Sequence, residues 1–528
     1  MKQEEHTTKA LYLLKDKGKH GLFKIIFSRT GVITILLLVQ IFFLFSMFKW
    51  FGEYFPIING ISLTFSSFIV IYILNSHKIS STAKTTWIMV IMTFPIFGGL
   101  LFAYTQSNLG HRILARRINH SIVRSEHKVR QNPQVIEKLT KVNEGTATLA
   151  HYLRLNGNYP VYNQTTTEYF KTGEDKYQAM MIELEKAQQF IFLEYFIIQE
   201  GEMWGHILEI LARKAAEGVE VRVMYDGTNA FTKVPWDYDA KIRQLGIQCK
   251  MFAPITPFVS THYNYRDHRK ILVIDGHTAF TGGVNLADEY INLIHRFGHW
   301  KDTAIMLKGD AVKTFTLMFL QLWNMDEEKP RYSAYLNEAN PLPNKQNGFI
   351  IPYGDEPFDN EKVGENVYID ILNRANRYVH IMTPYLILDS ELENAIKFAS
   401  NRGVEVKIIL PGIPDKKIPF ALAKTYYASL MDAGVDIYEY TPGFIHAKVF
   451  VSDNDTAVVG SINLDYRSLY HHFECGVLLY KTDSITDIEE DFQETLGMSE
   501  LILFDKLNSR PFTQKLTGWI VKIFAPLL

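Results

Sequence analysis

GVEVRVMY at residues 218–225 and GVEVKIIL at residues 403–410 are nearly the same phrase, and they decide the fold. Both are rich in the β-branched and apolar residues that are typical of buried strands. Each follows a helical stretch, which itself follows an apolar run, QQFIFLEYFIIQ at 188–199 or RYVHIMTPYLIL at 377–388. A strand, a helix and a strand that occur twice predict an α/β protein of two similar lobes, each with a mostly parallel sheet.

This repeat sets the boundaries of the predicted domains. We expect the first lobe at residues 151–328 and the second at residues 349–528, related by a pseudo-twofold repeat. Residues 329–348 between them are rich in proline and asparagine, which indicates an irregular linker. A chain of 528 residues is also too long for one compact domain, because a domain holds roughly 100–200 residues.

Three runs near the start of the chain carry no charged residue and no histidine. They lie at about 30–48, 56–75 and 86–104, and each approaches the length of roughly 20 residues that a membrane-spanning helix needs. We therefore predict transmembrane helices before the lobes, and a multi-pass protein of the cell membrane. Residues 1–29 would be a basic cytoplasmic segment, residues 30–104 the transmembrane region and residues 105–150 a basic connecting region. Basic clusters flank the region on both sides. The sequence therefore does not decide between two and three spans, nor which side of the membrane holds the lobes.

The composition excludes several classes of protein. A net charge of −2 gives no reason to expect a nucleic-acid partner. Only two cysteines occur, Cys249 and Cys475, which excludes a disulfide scaffold and a zinc site built from cysteines. The sequence has neither an HExxH zinc motif nor a phosphate-binding glycine loop. We therefore predict no metal and no cofactor.

Each half also contains a matching phrase that carries chemistry. HRKILVID runs from His268 to Asp275, and HAKVFVSD runs from His446 to Asp453. The lysines Lys270 and Lys448 follow the histidines by two residues, and Asn285 and Asn463 follow them by seventeen. Because side chains two apart on a strand share a face, histidine and lysine should project into one site. Each aspartate has the opposite parity, so we expect it to bind backbone groups and not to contact substrate.

Two imidazoles, two ammonium groups and two carboxamides suit phosphodiester chemistry. Lysine and asparagine donate to phosphoryl oxygens, while one histidine attacks phosphorus and the other protonates the leaving alkoxide. The spacing does not say which histidine does which. His471 and His472 beside Glu474 suggest a metal site as an alternative, but neighbouring residues on a strand point apart, so we favour a local structural role.

The paired phrases resemble the phospholipase D superfamily, in which the HxKxxxxD motif occurs once in each half. Within it, the chain is similar to the bacterial cardiolipin synthases over roughly residues 55–528, and the run at 30–48 lies outside the two-span pattern of that family. The residues that extend the resemblance are Trp87 to Tyr104, Asn264 to Lys270, Thr281 to Asn285, Ala287 to Tyr290, Trp300 to Thr303, and Phe473 with Glu474.

The resemblance implies an activity and a set of site residues. The reaction would move a phosphatidyl group from one phosphatidylglycerol to the glycerol hydroxyl of another, through a phosphohistidine, and give cardiolipin and glycerol. His268 matches the nucleophile and His446 the acid and base. The implied catalytic residues are His268, Lys270, Asp275, His446, Lys448 and Asp453, and those that bind phosphate or orient the histidines are Asn285, Asn463, Ser461, Asp302 and Glu474. The first half has Gly283 where the second has Ser461.

Other functions compete with this one. A hydrolytic phospholipase D and a phosphatidylserine synthase share the phosphoenzyme and differ only in the acceptor. An inactive lipid-binding membrane scaffold is the alternative outside enzymology, and a nuclease is disfavoured by the membrane segments and the net charge. The predicted partners are phosphatidylglycerol as donor and acceptor and, through the basic stretch Arg112–Arg130, anionic membrane lipid. The sequence does not predict the oligomeric state.

Overall fold

The computed structural model describes residues 54–77, 79–106, 109–254, 265–336 and 347–525. They form two compact units. One contains the described residues of 18–114 and 522–528, and the other contains those of 115–254 and 264–521. The predicted cytoplasmic segment 1–29 and the predicted span 30–48 lie outside the described residues.

The smaller unit is helical. Its helices are α1 (Phe55–Asn75), α2 (Ser81–Thr93) and α3 (Pro95–Gln106). The buried side chains of Ile73, Trp87, Ile91 and Phe102 hold them together. The run predicted as a span at 86–104 is divided between α2 and α3, because the helix breaks at Phe94. Pro95 has no N–H to bond to the preceding turn, so it can begin a helix but not continue one.

No helix among the described residues is both long enough and apolar enough to cross a membrane. The segment predicted as a basic connection, residues 105–150, contains α4 (Leu109–Ser125), α5 (Pro133–Val142) and the first half of α6 (Glu144–Gly157). The side chain of Asn132 caps the start of α5 and that of Asn143 caps the start of α6, each by accepting a backbone N–H.

The first lobe is a sheet of seven strands with helices on its faces, in the strand order β1-β9-β7-β6-β2-β3-β4. Its elements are β1 (Thr165–Phe170), α7 (Gly173–Glu185), β2 (Phe190–Tyr195), α8 (Glu202–Ala216), β3 (Glu220–Asp226), α9 (Asn229–Thr232), α10 (Tyr238–Arg243), β4 (Gln248–Phe252), β5 (Arg266–Asp267), β6 (Lys270–Ile274), β7 (Thr278–Gly282), β8 (His299–Lys301), β9 (Ala304–Gly309) and α11 (Val312–Trp323).

The second lobe repeats this plan, with the strand order β10-β19-β17-β16-β11-β13-β14-β20. Its elements are β10 (Phe349–Asp355), α12 (Val363–Arg374), β11 (Tyr378–Met382), β12 (Leu386–Ile387), α13 (Ser390–Asn401), β13 (Glu405–Pro411), α14 (Lys417–Met431), β14 (Asp436–Tyr440), β15 (Gly443–Ile445), β16 (Val449–Ser452), β17 (Thr456–Gly460), β18 (Leu464–Asp465), α15 (Tyr466–His471), β19 (His472–Tyr480), α16 (Ser484–Gly497) and β20 (Ser499–Leu501). Two helices follow, α17 (Phe504–Asn508) and α18 (Phe512–Phe524).

The two lobes confirm the predicted α/β repeat but not the mostly parallel sheets. Within each lobe three neighbouring strands are parallel, β2-β3-β4 and β11-β13-β14. The other ladders along these two strand orders are antiparallel. Two of these ladders have a local cause: each motif strand, β6 or β16, turns back through a short hairpin into β7 or β17, which forces antiparallel pairing there.

Two short parallel ladders join the lobes. In one, β5 pairs with β19, so that Asp267 lies opposite Phe473. In the other, β8 pairs with β15, so that Ile445 lies opposite Lys301. Each motif histidine follows one of these ladders directly, at the seam between the lobes.

Candidate active site

The two histidines are positioned in equivalent ways. His268 lies between β5 and β6, and its backbone N–H donates to the carbonyl oxygen of Phe473 at 2.9 Å. His446 lies between β15 and β16, and its backbone N–H donates to the carbonyl oxygen of Lys301 at 2.6 Å. Each lobe therefore fixes the backbone of the other lobe's histidine.

A carboxylate from the opposite lobe holds each imidazole ring. Nδ1 of His268 lies 2.8 and 2.9 Å from the two carboxylate oxygens of Glu474. Nδ1 of His446 lies 2.7 Å from Oδ2 of Asp302. Both carboxylates are fully buried. An anion at Nδ1 places the ring proton there and leaves Nε2 as the reactive atom.

The two lysines of the motifs lie beside the histidines. Lys270 and Lys448 are buried, and the Nζ atom of each donates to the carbonyl oxygen of the histidine two residues before it. Burial lowers the pKa of Lys270 to about 8 and that of Lys448 to about 7. No carboxylate of the described part of the chain pairs directly with either ammonium group, and a buried cation of this kind is well suited to receive an anion.

The electrostatics of the site keep both imidazoles neutral. Burial, followed by Lys270 and Lys448, holds the pKa of His268 well below its ordinary value. Burial and Lys448 lower the pKa of His446 to about 4, although Asp302 opposes them. Burial alone would raise the pKa of Asp302, but His446 and Lys448 hold it below its usual range. Asp302 is therefore a carboxylate anion that can accept a hydrogen bond from Nδ1 of His446.

The surroundings of the two carboxylates differ. Glu474 accepts hydrogen bonds from the hydroxyls of Ser461 and Ser468, at 2.5 Å each. Asp302 instead accepts the backbone N–H of Thr303 at 2.8 Å. A Cβ at Gly283 would lie 2.0 Å from Oδ1 of Asp302, so a serine there would displace that carboxylate. This close approach explains why the first half has glycine where the second has serine.

The side chains of the two asparagines differ in how far hydrogen bonds within the protein engage them. In Asn285 the amide oxygen accepts the backbone N–H of Ile197 at 3.0 Å, and Nδ2 donates to the hydroxyl of Tyr290 at 2.8 Å. The backbone N–H of Asn463 donates to the hydroxyl of Ser468 at 2.9 Å, while its buried side-chain oxygen has no hydrogen-bond partner among the residues that the structure describes. The side-chain amide of Asn463 is therefore less satisfied by hydrogen bonds within the described part of the protein than that of Asn285.

The structure brings neither motif aspartate to the imidazoles. The carboxylate of Asp275 accepts the backbone N–H groups of residues 188–190 at 2.7 to 2.8 Å. That of Asp453 does the same for residues 376–378 at 2.7 to 3.0 Å. Both have a positive φ, 51° and 55°, at the tight turn after the motif strand. These contacts fix the end of β6 or β16 against the neighbouring strand, as the parity of Asp275 and Asp453 predicts, and a catalytic role for the two aspartates stays a prediction.

Several residues of the site were not predicted from the sequence. The ring of His472 lies 5.2 Å from that of His268, and burial lowers the pKa of His472 to about 3. Phe196 packs on His268 at 4.8 Å, and Trp300 packs on His446 at 5.3 Å. These rings cover part of the two imidazoles. The sequence signal for His472 is its position two residues before Glu474 on the same strand face.

His268, His472 and Glu474 also form a set of three metal-ligand types, with one ligand atom of each within 4.8 Å of the others. The carboxylate of Glu474 already accepts from two serines and faces His268, so a metal would have to displace these hydrogen bonds. A second set, Glu365, Asp389 and Glu391, surrounds the ammonium group of Lys362. Hydrogen bonds thus already engage the carboxylate of the first set, and the ammonium group of Lys362 engages the carboxylates of the second.

Comparison with known proteins agrees with this geometry. The family model described as the phospholipase D-like domain of cardiolipin synthase matches residues 180–323 and 368–496, which include both motifs. A cardiolipin synthase of Halalkalibacterium halodurans is 33% identical over 485 residues, which cover 91% of this chain and 95% of that protein. An uncharacterized protein of Streptococcus mutans is 54% identical over 459 residues, or 87% of this chain and 99% of its own length.

One solved structure shows the fold. A phosphatidylserine synthase of Haemophilus influenzae superposes with a TM-score of 0.55 at 17% identity, and covers 72% of this chain and 98% of its own. At this level of identity the likeness concerns the fold alone.

Proposed function

The chain belongs to the cardiolipin synthase family of phospholipase D-like phosphatidyltransferases, and we propose that it joins two phosphatidylglycerol molecules. The donor would give its phosphatidyl group to the glycerol hydroxyl of the acceptor. The products would be cardiolipin and glycerol.

One observation carries the proposal: two buried imidazoles, each held at Nδ1 by a carboxylate, lie with two lysines at the seam between the lobes. Within the part of the chain that the structure describes, no group hydrogen-bonds to Nε2 of His268 or His446. A nucleophile and an acid of the same residue type, next to paired cations, are what a double displacement at phosphorus requires.

In the first half-reaction, Nε2 of His268 attacks the phosphorus of the donor lipid. The new N–P bond forms as the bond from phosphorus to the glycerol oxygen breaks. His446 gives its Nε2 proton to that oxygen, and glycerol leaves. Lys270 and Lys448 stabilise the charge that grows on the phosphoryl oxygens. Glu474 stabilises the positive charge on the His268 ring.

In the second half-reaction, the glycerol hydroxyl of the acceptor lipid attacks the phosphohistidine. His446, now neutral, takes the hydroxyl proton as the new P–O bond forms. The N–P bond breaks, and His268 is restored with its electron pair. Because His446 ends with the proton it began with, the cycle is balanced.

The low pKa values fit this order of events. A neutral His268 is ready to attack. The phosphodiester anion, once bound beside Lys270 and Lys448, offsets their positive charge and so raises the pKa of His446. The acid is thus charged mainly when a lipid is present.

We also propose that the enzyme works at the cell membrane, where its lipid substrates are. Large apolar side chains are exposed on two helices, Ile61 and Phe68 on α1 and Trp519 and Ile520 on α18, and such residues favour contact with lipid. The multi-pass arrangement with spans at 30–48, 56–75 and 86–104 stays a prediction. Labelling single cysteines placed at the ends of these runs, in intact and permeabilised cells, tests it.

The deciding experiment incubates the purified full-length chain with vesicles of phosphatidylglycerol. We expect cardiolipin and glycerol in equal amounts. Phosphatidic acid with glycerol would instead indicate a hydrolase, and phosphatidylserine, formed only when serine is added, a phosphatidylserine synthase. No turnover by a folded chain would leave the inactive scaffold. His268→Ala serves as the negative control.

A further inference from the structure

A pocket lies next to the site, on the side of His446. It has about 270 Å³ of empty space, part of it open to solvent, and its lining includes Pro384, Tyr385, Phe420 and Phe444. Because this space is partly open to solvent, a ligand would lie against the lining and not inside a closed cavity.

Aromatic rings connect this pocket to the catalytic base. The ring of Phe444 lies 5.9 Å from that of His446, and the ring of Tyr385 lies 6.5 Å from that of Phe444. Pro411, Pro414 and Pro419 also line the pocket, and their fixed φ angles stiffen its wall. A group in the pocket would therefore reach the proton acceptor along a preformed surface.

Lys416 supplies a cation to this pocket. Its side chain is 64% exposed, and its Nζ atom lies 3.4 Å from the hydroxyl of Tyr385 and 5.4 Å from the centre of that ring. Its distance to Asp415 is 3.5 Å, a loose ion pair, because Asp415 also accepts the hydroxyl of Tyr385 at 2.7 Å. The ammonium group is thus held near the pocket but is only weakly neutralised.

The backbone adds to the positive charge at this position. Lys416 is the residue before α14, a helix of 15 residues whose first turn contains no acidic residue. The start of a helix carries a partial positive charge. After burial, Lys270, Lys448 and His446, Lys416 also contributes to lowering the pKa of His268, so its field reaches the site.

A reaction between two phosphatidylglycerol molecules brings two phosphates to one site. The buried pair Lys270 and Lys448 serves the phosphate that reacts. The acceptor carries a second phosphate, one glycerol unit away from the hydroxyl that attacks. We propose that Lys416 binds this second phosphate, so that the acceptor glycerol lies along the pocket with its hydroxyl near His446. This inference rests on the proposed function and makes Lys416 a residue that selects an anionic lipid as acceptor.

Two reactions of the same phosphoenzyme separate acceptor binding from the chemistry. Cardiolipin formation needs an acceptor with a phosphate. Exchange of labelled glycerol into phosphatidylglycerol uses the same phosphohistidine but a small neutral acceptor. Both are measured with the purified full-length chain and phosphatidylglycerol vesicles, for the native protein, Lys416→Ala, Lys416→Arg and Lys416→Glu. Lys417→Ala, an exposed neighbour that does not line the pocket, is the matched control.

We expect Lys416→Ala to lower the ratio of cardiolipin formation to glycerol exchange about tenfold, Lys416→Glu to lower it further, and Lys416→Arg to keep most of it. Lys417→Ala should leave the ratio unchanged. An unchanged ratio in Lys416→Ala, or an equal fall in Lys417→Ala, overturns the inference. A native chain that exchanges glycerol but makes no cardiolipin overturns the proposed function instead, which is a different result.

Discussion

The two lobes carry the same motif, yet they give their histidines different surroundings. Glu474, which holds His268, is itself held by two serine hydroxyls. Asp302, which holds His446, is shorter and accepts one backbone N–H. Asp302 raises the pKa of His446 against the effect of burial, whereas burial and the nearby lysines act together to lower that of His268. This difference favours the roles that we propose, His446 as the proton carrier and His268 as the nucleophile.

The largest expected effect comes from removing either histidine. His268→Ala should abolish transfer and the acid-labile phosphoenzyme that phosphate-labelled phosphatidylglycerol forms. His446→Ala should lose roughly 10²- to 10⁴-fold in transfer, because it lacks only the acid and base. A lipid with a p-nitrophenol leaving group needs no protonation, so it should restore phosphoenzyme formation in His446→Ala alone. Restoration in His268→Ala instead would reverse the two roles.

Exchange of the orienting carboxylates for amides should cost roughly 10- to 100-fold. Asp302→Asn removes the charge that raises the pKa of His446, so less of this acid is protonated at a given pH. The alkaline limb of the pH–rate profile should then move to lower pH. Glu474→Gln should lower the rate without moving that limb in the same direction. Identical shifts in both variants would mean that the two lobes do not differ in role.

Gly283→Ser tests the asymmetry from the other side, because it gives the first lobe the residue of the second. The new Cβ would lie 2.0 Å from Oδ1 of Asp302, so the carboxylate must move away from His446. We expect transfer to fall by about tenfold, and overpacking of this kind costs roughly 1–3 kcal/mol in unfolding free energy. Ser461→Gly should cost only a few-fold. Steady-state rates and thermal unfolding of both variants check this.

The smallest effect on turnover is expected from the motif aspartates. Asp275→Ala and Asp453→Ala each leave three backbone N–H groups without their acceptor. The loss should be roughly 1–3 kcal/mol of stability. Turnover per folded molecule should stay close to native, as active-site titration with a phosphatidyl p-nitrophenyl ester would show. A loss of turnover with unchanged thermal unfolding would return these residues to the chemistry.

Sequence reasoning identified the lobes and the motif chemistry because both depend on local periodicity. The repeated phrases gave the strands, and parity separated Lys270 from Asp275. The direction of most strand pairs was missed because pairing is a long-range property. Which carboxylate contacts which imidazole ring depends on long-range contacts. Glu474 is 206 positions from His268, and Asp302 is 144 positions from His446, so motif spacing cannot show these pairs. Likewise, the position of Asn285 in the motif does not predict that its side-chain amide forms hydrogen bonds with Ile197 and Tyr290.

The crossed carboxylates also bear on how such a chain arises. The carboxylate that holds each motif histidine comes from the other half of the chain. One half alone therefore lacks part of the proposed site, and two copies are needed to complete it. Fusion of two copies into one polypeptide keeps that pair permanently together. After such a fusion, each carboxylate contacts only one histidine, so the two carboxylate positions can diverge in sequence. Here one position is Asp302 and the other is Glu474.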